Sequence, residues 1–400
     1  MPLFKYSVLL LLLFFSWASF AQKTTVYASS FGYDPQDSTA VLQQAIDSMA
    51  DCVIIDDPGG IWYTGPLKLR SNLELIISDG VTVQALRGAF KGTGETMFSG
   101  RNVKNLVIRG LGKAVLKMNK ADYQNPELYK PSEWRHLLAL YSAENVIIRD
   151  LEFSSSGGDG IYLGSNSGLV PNRNIRIENV ISCGNHRQGI SIISGDGITI
   201  RNSTFCCTKG AAPECGLDIE PNYPEEQISN ILIENCDFRD NHHCGILLHM
   251  QSFLKPSSVT IRNCRSYGNY NCGLSVYAPP TLRTAGGTIN IENCRFEKNL
   301  DSAMILNNQF SRGQKITFRD CLFDNRSSRD PRLLIFNNSQ LEVDAGGVRF
   351  AGKNLWYSDH RGELFSQLVK TPGQKITGVT GSVTVLNSQG ESRKLYIQSP

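Results

Sequence analysis

Little net charge separates the basic from the acidic side chains. Lys and Arg number 40 and Asp and Glu 37 in 400 residues, a formal charge of +3. That near-balance excludes the basic footprint of a nucleic-acid-binding protein. Charged residues are sparse at 19%, while apolar residues reach 41%. This is the composition of a folded globular chain and excludes a disordered or fibrous one. Beyond residue 21 no apolar run is long enough to cross a bilayer. The 11 cysteines include no Cys-X-X-Cys pair, which argues against a zinc centre. Proline is modest at 16, whereas glycine is frequent at 36, so tight turns are expected to be many.

The apolar run that does occur comes first. Lys5 gives a short positive segment, Val8 to Phe15 is apolar, and Ser19 and Ala21 put small residues at the −3 and −1 positions before Gln22. The pattern predicts a secretory signal peptide over residues 1–21 and a secreted or periplasmic mature chain. No cysteine stands at the cleavage point, so no lipid anchor is expected.

From residue 144 on, the chain repeats. The segment Asn145–Asp150 (NVIIRD) has copies starting at Asn174 (NIRIEN), Gly197 (GITIRN), Asn230 (NILIEN), Ser258 (SVTIRN), Thr288 (TINIEN) and Lys315 (KITFRD). A second element follows each one: DGIYL from Asp159, QGISI from Gln188, CGLDI from Cys215, CGILL from Cys244 and CGLSV from Cys272, with weaker copies at Ser302 and Arg332. Both elements alternate with period two, as strands do. The unit recurs about every 28 residues, too short for helical crossovers but suited to one coil of a stacked parallel solenoid. The fold class predicted is all-β, a single-domain parallel β-helix with an N-terminal capping helix, over residues 22–340. A C-terminal cap of short strands is expected over 341–400.

Stacking places equivalent positions in ladders about 4.8 Å apart. Ile161, Ile190, Leu217, Ile246, Leu274, Met304 and Leu334 form one apolar column, and Leu163, Ile192, Ile219, Leu248, Val276, Leu306 and Phe336 the next. Both are expected in the core. Asp150, Asn179, Asn202, Asn235, Asn263, Asn293 and Asp320 form a polar column, read as an inward turn whose amides bond between coils. Cys236, Cys264, Cys294 and Cys321, and Cys215, Cys244 and Cys272, read as buried thiols. In-register neighbours project in parallel, which disfavours bridging them; a bridge within Cys183, Cys206 and Cys207 is the alternative. Residues 37–49 read as the cap helix, with Asp37 or Ser38 at its start and Leu42, Ile46 and Met49 as its apolar stripe. Residues 118–135 interrupt the rhythm, and their Tyr123, Tyr129 and Trp134 suggest a binding wall.

The cap segment FGYDPQDSTAVLQQAID followed by coils with Asn ladders resembles the pectate-lyase-like superfamily of right-handed parallel β-helices. The resemblance covers about residues 24–340 and implies a carbohydrate-active protein: a polysaccharide lyase, a glycoside hydrolase, a uronan epimerase or a tailspike hydrolase. The NTD, DD, GHG and RIK blocks of polygalacturonases are absent. So is the DPH signature of alginate epimerases, since Asp34-Pro35 is followed by Gln36. No catalytic residue carries over from a family motif.

Parity locates the candidate site instead. With the apolar columns inward, alternate residues of the second element face outward. They include Tyr162, Arg187, Ser191, Glu214, Asp218, Glu220, His243, His249 and Tyr277. Asp218 and Glu220 lie two residues apart on one strand, so their Cα atoms are about 6.5–7 Å apart. A like-charge neighbour raises one carboxyl pKa, which yields an acid beside a base. Arg187 is read as a partner of Glu214 or as a fork for a sugar carboxylate or sulfate. His243 and Lys209 are candidate proton-transfer groups. Trp134, Tyr162, Tyr223 and Tyr277 offer faces to sugar rings, and Ser191, Glu214 and His249 offer polar contacts. Asp159 shares the column of Gln188 and Cys215, and strict parity turns it inward to bond backbone amides.

Three functions fit. In the leading one, a secreted glycoside hydrolase cleaves a polysaccharide or oligosaccharide through Asp218 and Glu220, with no metal or cofactor. In the second, a lyase or epimerase abstracts a proton through Lys209, Arg187 or a histidine, with Ca²⁺ at the carboxylates. In the third, the solenoid only binds or adheres to carbohydrate. A monomer is expected throughout.

Overall fold

The computed structural model describes residues 23–250, 253–278, 285–307, 314–337, 342–344, 347–359, 365–367 and 375–398. The expected signal peptide lies outside the described residues. Among them no helix is long and apolar enough to cross a membrane.

The period-two elements form strands that pair in parallel with their counterparts one coil away. Leu138 lies opposite Ile161, Ile161 opposite Ile190, Ile190 opposite Leu217, Leu217 opposite Ile246, Ile246 opposite Leu274 and Leu274 opposite Met304. These strands belong to an 11-stranded sheet running from Leu67–Lys68 to Phe365–Gln367. The NIRIEN-type elements and the three-residue strands after them build a 24-stranded sheet around the rest of the solenoid. The result is a right-handed parallel β-helix with very little helix.

Both apolar columns are core: Ile161, Ile190, Leu217, Ile246, Leu274 and Met304 are 0% exposed, as are Leu163, Ile192, Ile219, Leu248, Val276 and Leu306. Each such side chain contributes about 1.5–3 kcal/mol by leaving water. The side chains of Leu334 and Phe336 lie outside the described set.

The polar column departs from its expected place. Asp150, Asn179, Asn202, Asn235, Asn263, Asn293 and Asp320 take φ between 50° and 58°, the left-handed region that Asn and Asp tolerate. Their side chains do bond between coils, with Asn179 Nδ2 donating to Asp150 Oδ1 at 3.0 Å and Asn293 Nδ2 to Asn263 Oδ1 at 2.9 Å. They do so on the outer surface. The left-handed residue throws its own side chain outward and the next one inward: Val180, Cys236, Cys264, Cys294 and Cys321 are buried. The inward ladder is a different one, made by Asn185, Asn241, Asn269, Asn299 and Asn325. Asn241 N–H donates to Asn269 Oδ1 at 3.1 Å, and Asn269 N–H to Asn299 Oδ1 at 3.2 Å.

Both cysteine ladders are buried free thiols. Cys183 and Cys206, however, are joined in a disulfide although they are in-register neighbours. Their Cα atoms are 4.6 Å apart, within the range a bridge spans, so parallel projection does not forbid it.

The cap helix α1 runs Thr39–Asp47, with Asp37 Oδ1 accepting the Thr39 N–H at 2.9 Å. Leu42, Ala45 and Ile46 are buried against the first coil. Met49 is not part of the stripe. It lies beyond the helix end at φ 63° and is 76% exposed. At the other end, coil pairing continues where the sequence repeat has faded. Val348–Tyr357 pairs in parallel with both Gln314–Arg319 and Leu322–Asp324, and a final antiparallel hairpin joins Thr380–Leu386 to Ser392–Gln398.

The 118–135 insertion is packed rather than open. Tyr123 and Tyr129 are buried and meet edge to face at 4.9 Å. The buried Arg135 lies over both rings and donates to the carbonyls of Phe90 and Lys130. Of the three aromatics only Trp134 is exposed, at 52%.

Candidate active site

The Gln188–Ile192 and Cys215–Ile219 strands pair so that Ser191 lies opposite Asp218. Asp218 has the outward parity expected of it, yet it is 0% exposed, because Gln188 and Arg187 cover it. Gln188 Nε2 donates to Oδ2 at 2.9 Å, and Oδ1 takes no hydrogen bond. Burial first, and then the charge of Glu220, push the Asp218 carboxyl well above the usual range, against the pull of Arg187. Glu220 is within hydrogen-bonding reach of it. Of the two carboxyls, Asp218 is therefore the one pushed towards its protonated form.

Glu220 is the half of the pair that reaches solvent. Arg187 Nη2 donates to its Oε2 at 3.0 Å, and His249 Nδ1 lies 3.7 Å from Oε1. Burial lowers the His249 pKa more than Glu220 raises it, so the imidazole is neutral at pH 7. The ring of Tyr277 tilts against it, centroids 4.5 Å apart.

Arg187 is the hub. Besides Glu220, it approaches Asp159 Oδ2 at 3.5 Å and Glu133 Oε2 at 3.6 Å. Burial opposes its charge, but Asp159, Asp218, Glu220 and Glu133 outweigh that and raise its pKa. It does not pair with Glu214. That carboxylate bonds His242 Nδ1 at 2.5 Å and the Gly210 N–H at 2.6 Å. These contacts hold its pKa down in spite of burial.

Asp159 is buried as parity predicts, but no backbone amide meets its carboxylate. The carboxylate instead faces Arg187 Nη1 at 3.5 Å, with the Ser191 side chain within hydrogen-bonding reach. Burial pushes its pKa up to about 6, with Arg187 and Ser191 pulling the other way. Beside it His136 accepts the Asp159 N–H on Nδ1 at 3.0 Å, so its Nε2 carries the hydrogen. Burial and the Arg187 charge push this imidazole down to about 3. The ring stacks on Tyr162 at 4.6 Å, and burial raises the Tyr162 phenol.

The structure thus gathers Asp159, Arg187, Ser191, Asp218, Glu220, Tyr162, His249 and Tyr277, and leaves five other candidates outside the cluster, among them Tyr223, exposed in a groove beside Tyr162. His243 lies with Nδ1 3.7 Å from the Cys215 thiol, which raises its pKa. Lys209 is exposed in a groove with Asp240, His242 and Tyr270. Trp134 is exposed next to Glu133 in sequence. Glu214 belongs with His242. Three members were not anticipated. Gln188 had a legible signal, a long amide in the column where the next three coils carry thiols at Cys215, Cys244 and Cys272. Glu133 and His136 come from the insertion and the strand approach after it, where no repeat register exists to place them.

Among the described residues, two groups bring three ligand atoms close enough to grip an ion: Cys215, His243 and Cys244, and Cys183, Cys206 and Cys207. The second contains the disulfide.

The chain is similar in sequence to two curated proteins and in fold to several solved structures. A Bacillus subtilis (strain 168) protein, the uncharacterized YclG, is 28% identical over 151 residues, 36% of this chain and 25% of its own length. The SPbeta prophage-derived uncharacterized protein YorA of the same organism is 22% identical over 200 residues, 46% of this chain and 33% of its own. The alignments thus span a third or less of these relatives. Among solved structures, the tailspike protein of E. coli bacteriophage HK620, in complex with a pentasaccharide, superposes with TM-score 0.67 at 13% identity, covering 89% of this chain and 65% of its own. A polygalacturonase from Erwinia carotovora gives 0.53 at 14%, covering 89% and 96%. The A-module of an Azotobacter vinelandii mannuronan C-5 epimerase gives 0.53 at 16%, covering 88% and 100%. At these identities the likeness shows the fold. Residues 132–282 and 169–352 match the family model for the right-handed beta helix region, together more than half of the chain, and the chain belongs to that family.

Proposed function

We propose that this carbohydrate-active β-helix is a glycoside hydrolase that cleaves a polysaccharide or oligosaccharide, with Asp218 as proton donor and Glu220 as the basic carboxylate. The observation that carries the reading is the Asp218–Glu220 pair: one carboxyl buried and pushed towards its protonated form, the other partly exposed and hydrogen-bonded by Arg187. Hydrolysis needs a proton donor and a base at one site at the same pH, and the two carboxyls, here within hydrogen-bonding reach of each other, part to admit the attacking water. When the substrate displaces the side chains over it, Asp218 gives its proton to the glycosidic oxygen as the bond breaks. Glu220 takes a proton from the water that attacks the anomeric carbon. Arg187 and Gln188 orient the two groups and act as positioning residues. The reading requires no metal or cofactor, and the leader-like N-terminus favours a substrate outside the cytoplasm.

The test follows two signals at once on a panel of polysaccharides: new reducing ends, and the ultraviolet absorbance of unsaturated uronates. Hydrolysis gives reducing ends without absorbance. Asp218→Asn and Glu220→Gln are each expected to lower the rate by about 10²- to 10⁴-fold with the fold intact. Absorbance rising with the reducing ends, or either variant at parental rate, overturns the reading.

A further inference from the structure

We infer that the sugar bound at this site carries no carboxylate or sulfate, and that the substrate is a neutral glycan of hexose or N-acetylhexosamine units. The inference rests on the carbohydrate-active reading and narrows it. Its first support is the charge around Arg187. An anionic sugar is held by a cation with free donors. Arg187 donates to Glu220 through Nη2, faces Asp159 and Glu133, and lies within the field of Asp218. Its Nε makes no hydrogen bond but is buried away from a ligand, so its charge is spent within the protein, and the surroundings are net negative. A sugar carboxylate brought to Glu220 would meet like charge in a partly desolvated setting.

The second support is the adjoining groove. Ile193 lies beside Glu220 on the neighbouring coil, and from it a groove of about 420 Å³ runs over Tyr162, Asn166, Asn222 and Tyr223. No Lys or Arg lines it among the described residues. Its one charged residue, Glu226, is buried and satisfied by the Ser165 hydroxyl and the N–H groups of Asn222 and Tyr223. Arg101, the nearby cation, lies over the ring of Tyr141 at 3.8 Å and is not part of the lining. What remains for a ligand is amides, hydroxyls and the ring of Tyr223, which is 56% exposed. These are the contacts of a sugar face and its hydroxyl or acetamido groups.

The experiment measures binding apart from turnover. Asp218→Asn, which removes the proposed proton donor, is titrated calorimetrically with matched oligosaccharide pairs. The pairs are oligogalacturonate and its carboxyl-reduced galactan, and oligomannuronate and its carboxyl-reduced mannan. An N-acetylglucosamine oligomer is added alone. The neutral member is expected to bind at least about tenfold tighter than its acidic twin, with affinity unchanged between about 50 and about 500 mM NaCl. Tighter binding of a uronate, weakening with salt, overturns the inference. Glu133→Gln gives an independent reading: removing one charge from around Arg187 shifts the preference towards the uronate member. An unshifted ratio means charge does not set the selectivity and also overturns it. Neutral ligand bound without new reducing ends from the parent protein would refute the hydrolase reading and leave the substrate class standing. Cleavage of a uronan to saturated ends would do the reverse.

Discussion

Asp159 shows most sharply what a single residue stores in this site. Its carboxyl is fully buried, and although Arg187 and Ser191 pull the other way, its pKa stands at about 6 rather than 3.8. The folded state therefore prefers the protonated form. That preference is fully expressed below about pH 4 and is lost as pH rises through about 6. Asp159→Asn keeps the shape of the protonated group at every pH. The variant is expected to match its parent near pH 4 and to exceed it above pH 6, by on the order of 3 kcal/mol. The neighbouring His136, pushed down to about 3, works in the opposite sense: its contribution is present above pH 6.5 and is lost on acidification. It is common to both proteins and cancels in the difference. Thermal unfolding of the two across pH 4–8 checks this, and a difference that stays flat with pH would contradict it. Parity alone found Asp218, Glu220, Arg187 and Tyr162, because residues in regular strands alternate. It could not orient the Asp159 carboxylate, which follows two glycines where the alternation begins. Nor could it show that Arg187 reaches Glu220 on the next coil rather than Glu214, since side-chain reach is not encoded in spacing.

At the scale of the element, the asparagine ladders separate two roles that look alike in sequence. The outer column stands at left-handed bends and bonds through exposed amides. The inner one seals backbone donors in a dry interior. Asn269 Oδ1 accepts from both the N–H and the Nδ2 of Asn241, and its own Nδ2 reaches Phe238 O and Asn299 Oδ1. Asn269→Ala leaves several buried partners unmet and is expected to cost about 3 kcal/mol or more. Asn263→Gly keeps the left-handed bend and removes only an exposed bond, so its cost is expected to stay within about 1 kcal/mol. Denaturant unfolding of the two variants gives the ratio, and equal losses would erase the distinction. The first column was legible because it closes a conspicuous six-residue pattern. The second hides in short connections such as CGNH and GNYN, where a single Asn is easily taken for an ordinary turn residue.

Across the whole molecule, stacking makes stability a sum over neighbouring coils, and what the ends require differs from what the middle requires. The repeat made the solenoid legible from residue 144 onward because each coil restates the same inward and outward choices. The insertion and the last coils occur once and have nothing to be compared with. The first coil has the same difficulty: the strand Thr25–Tyr27 pairs with Cys52–Ile55 at the start of the stack, and helix α1 lies over that end with Leu42 and Ile46 buried. An uncovered parallel edge templates another chain. Replacing both Leu42 and Ile46 with Asp should lift the helix by placing unpaired charge against apolar surface. The outcome expected is a shift to larger species in light scattering, growing with protein concentration. The Arg187 cluster is several coils away, and stacked coils contact only their neighbours, so activity per folded chain should persist. Loss of activity in step with assembly would mean that the first coil and the site form one cooperative unit. An unchanged size distribution would mean that the edge is protected by something other than α1.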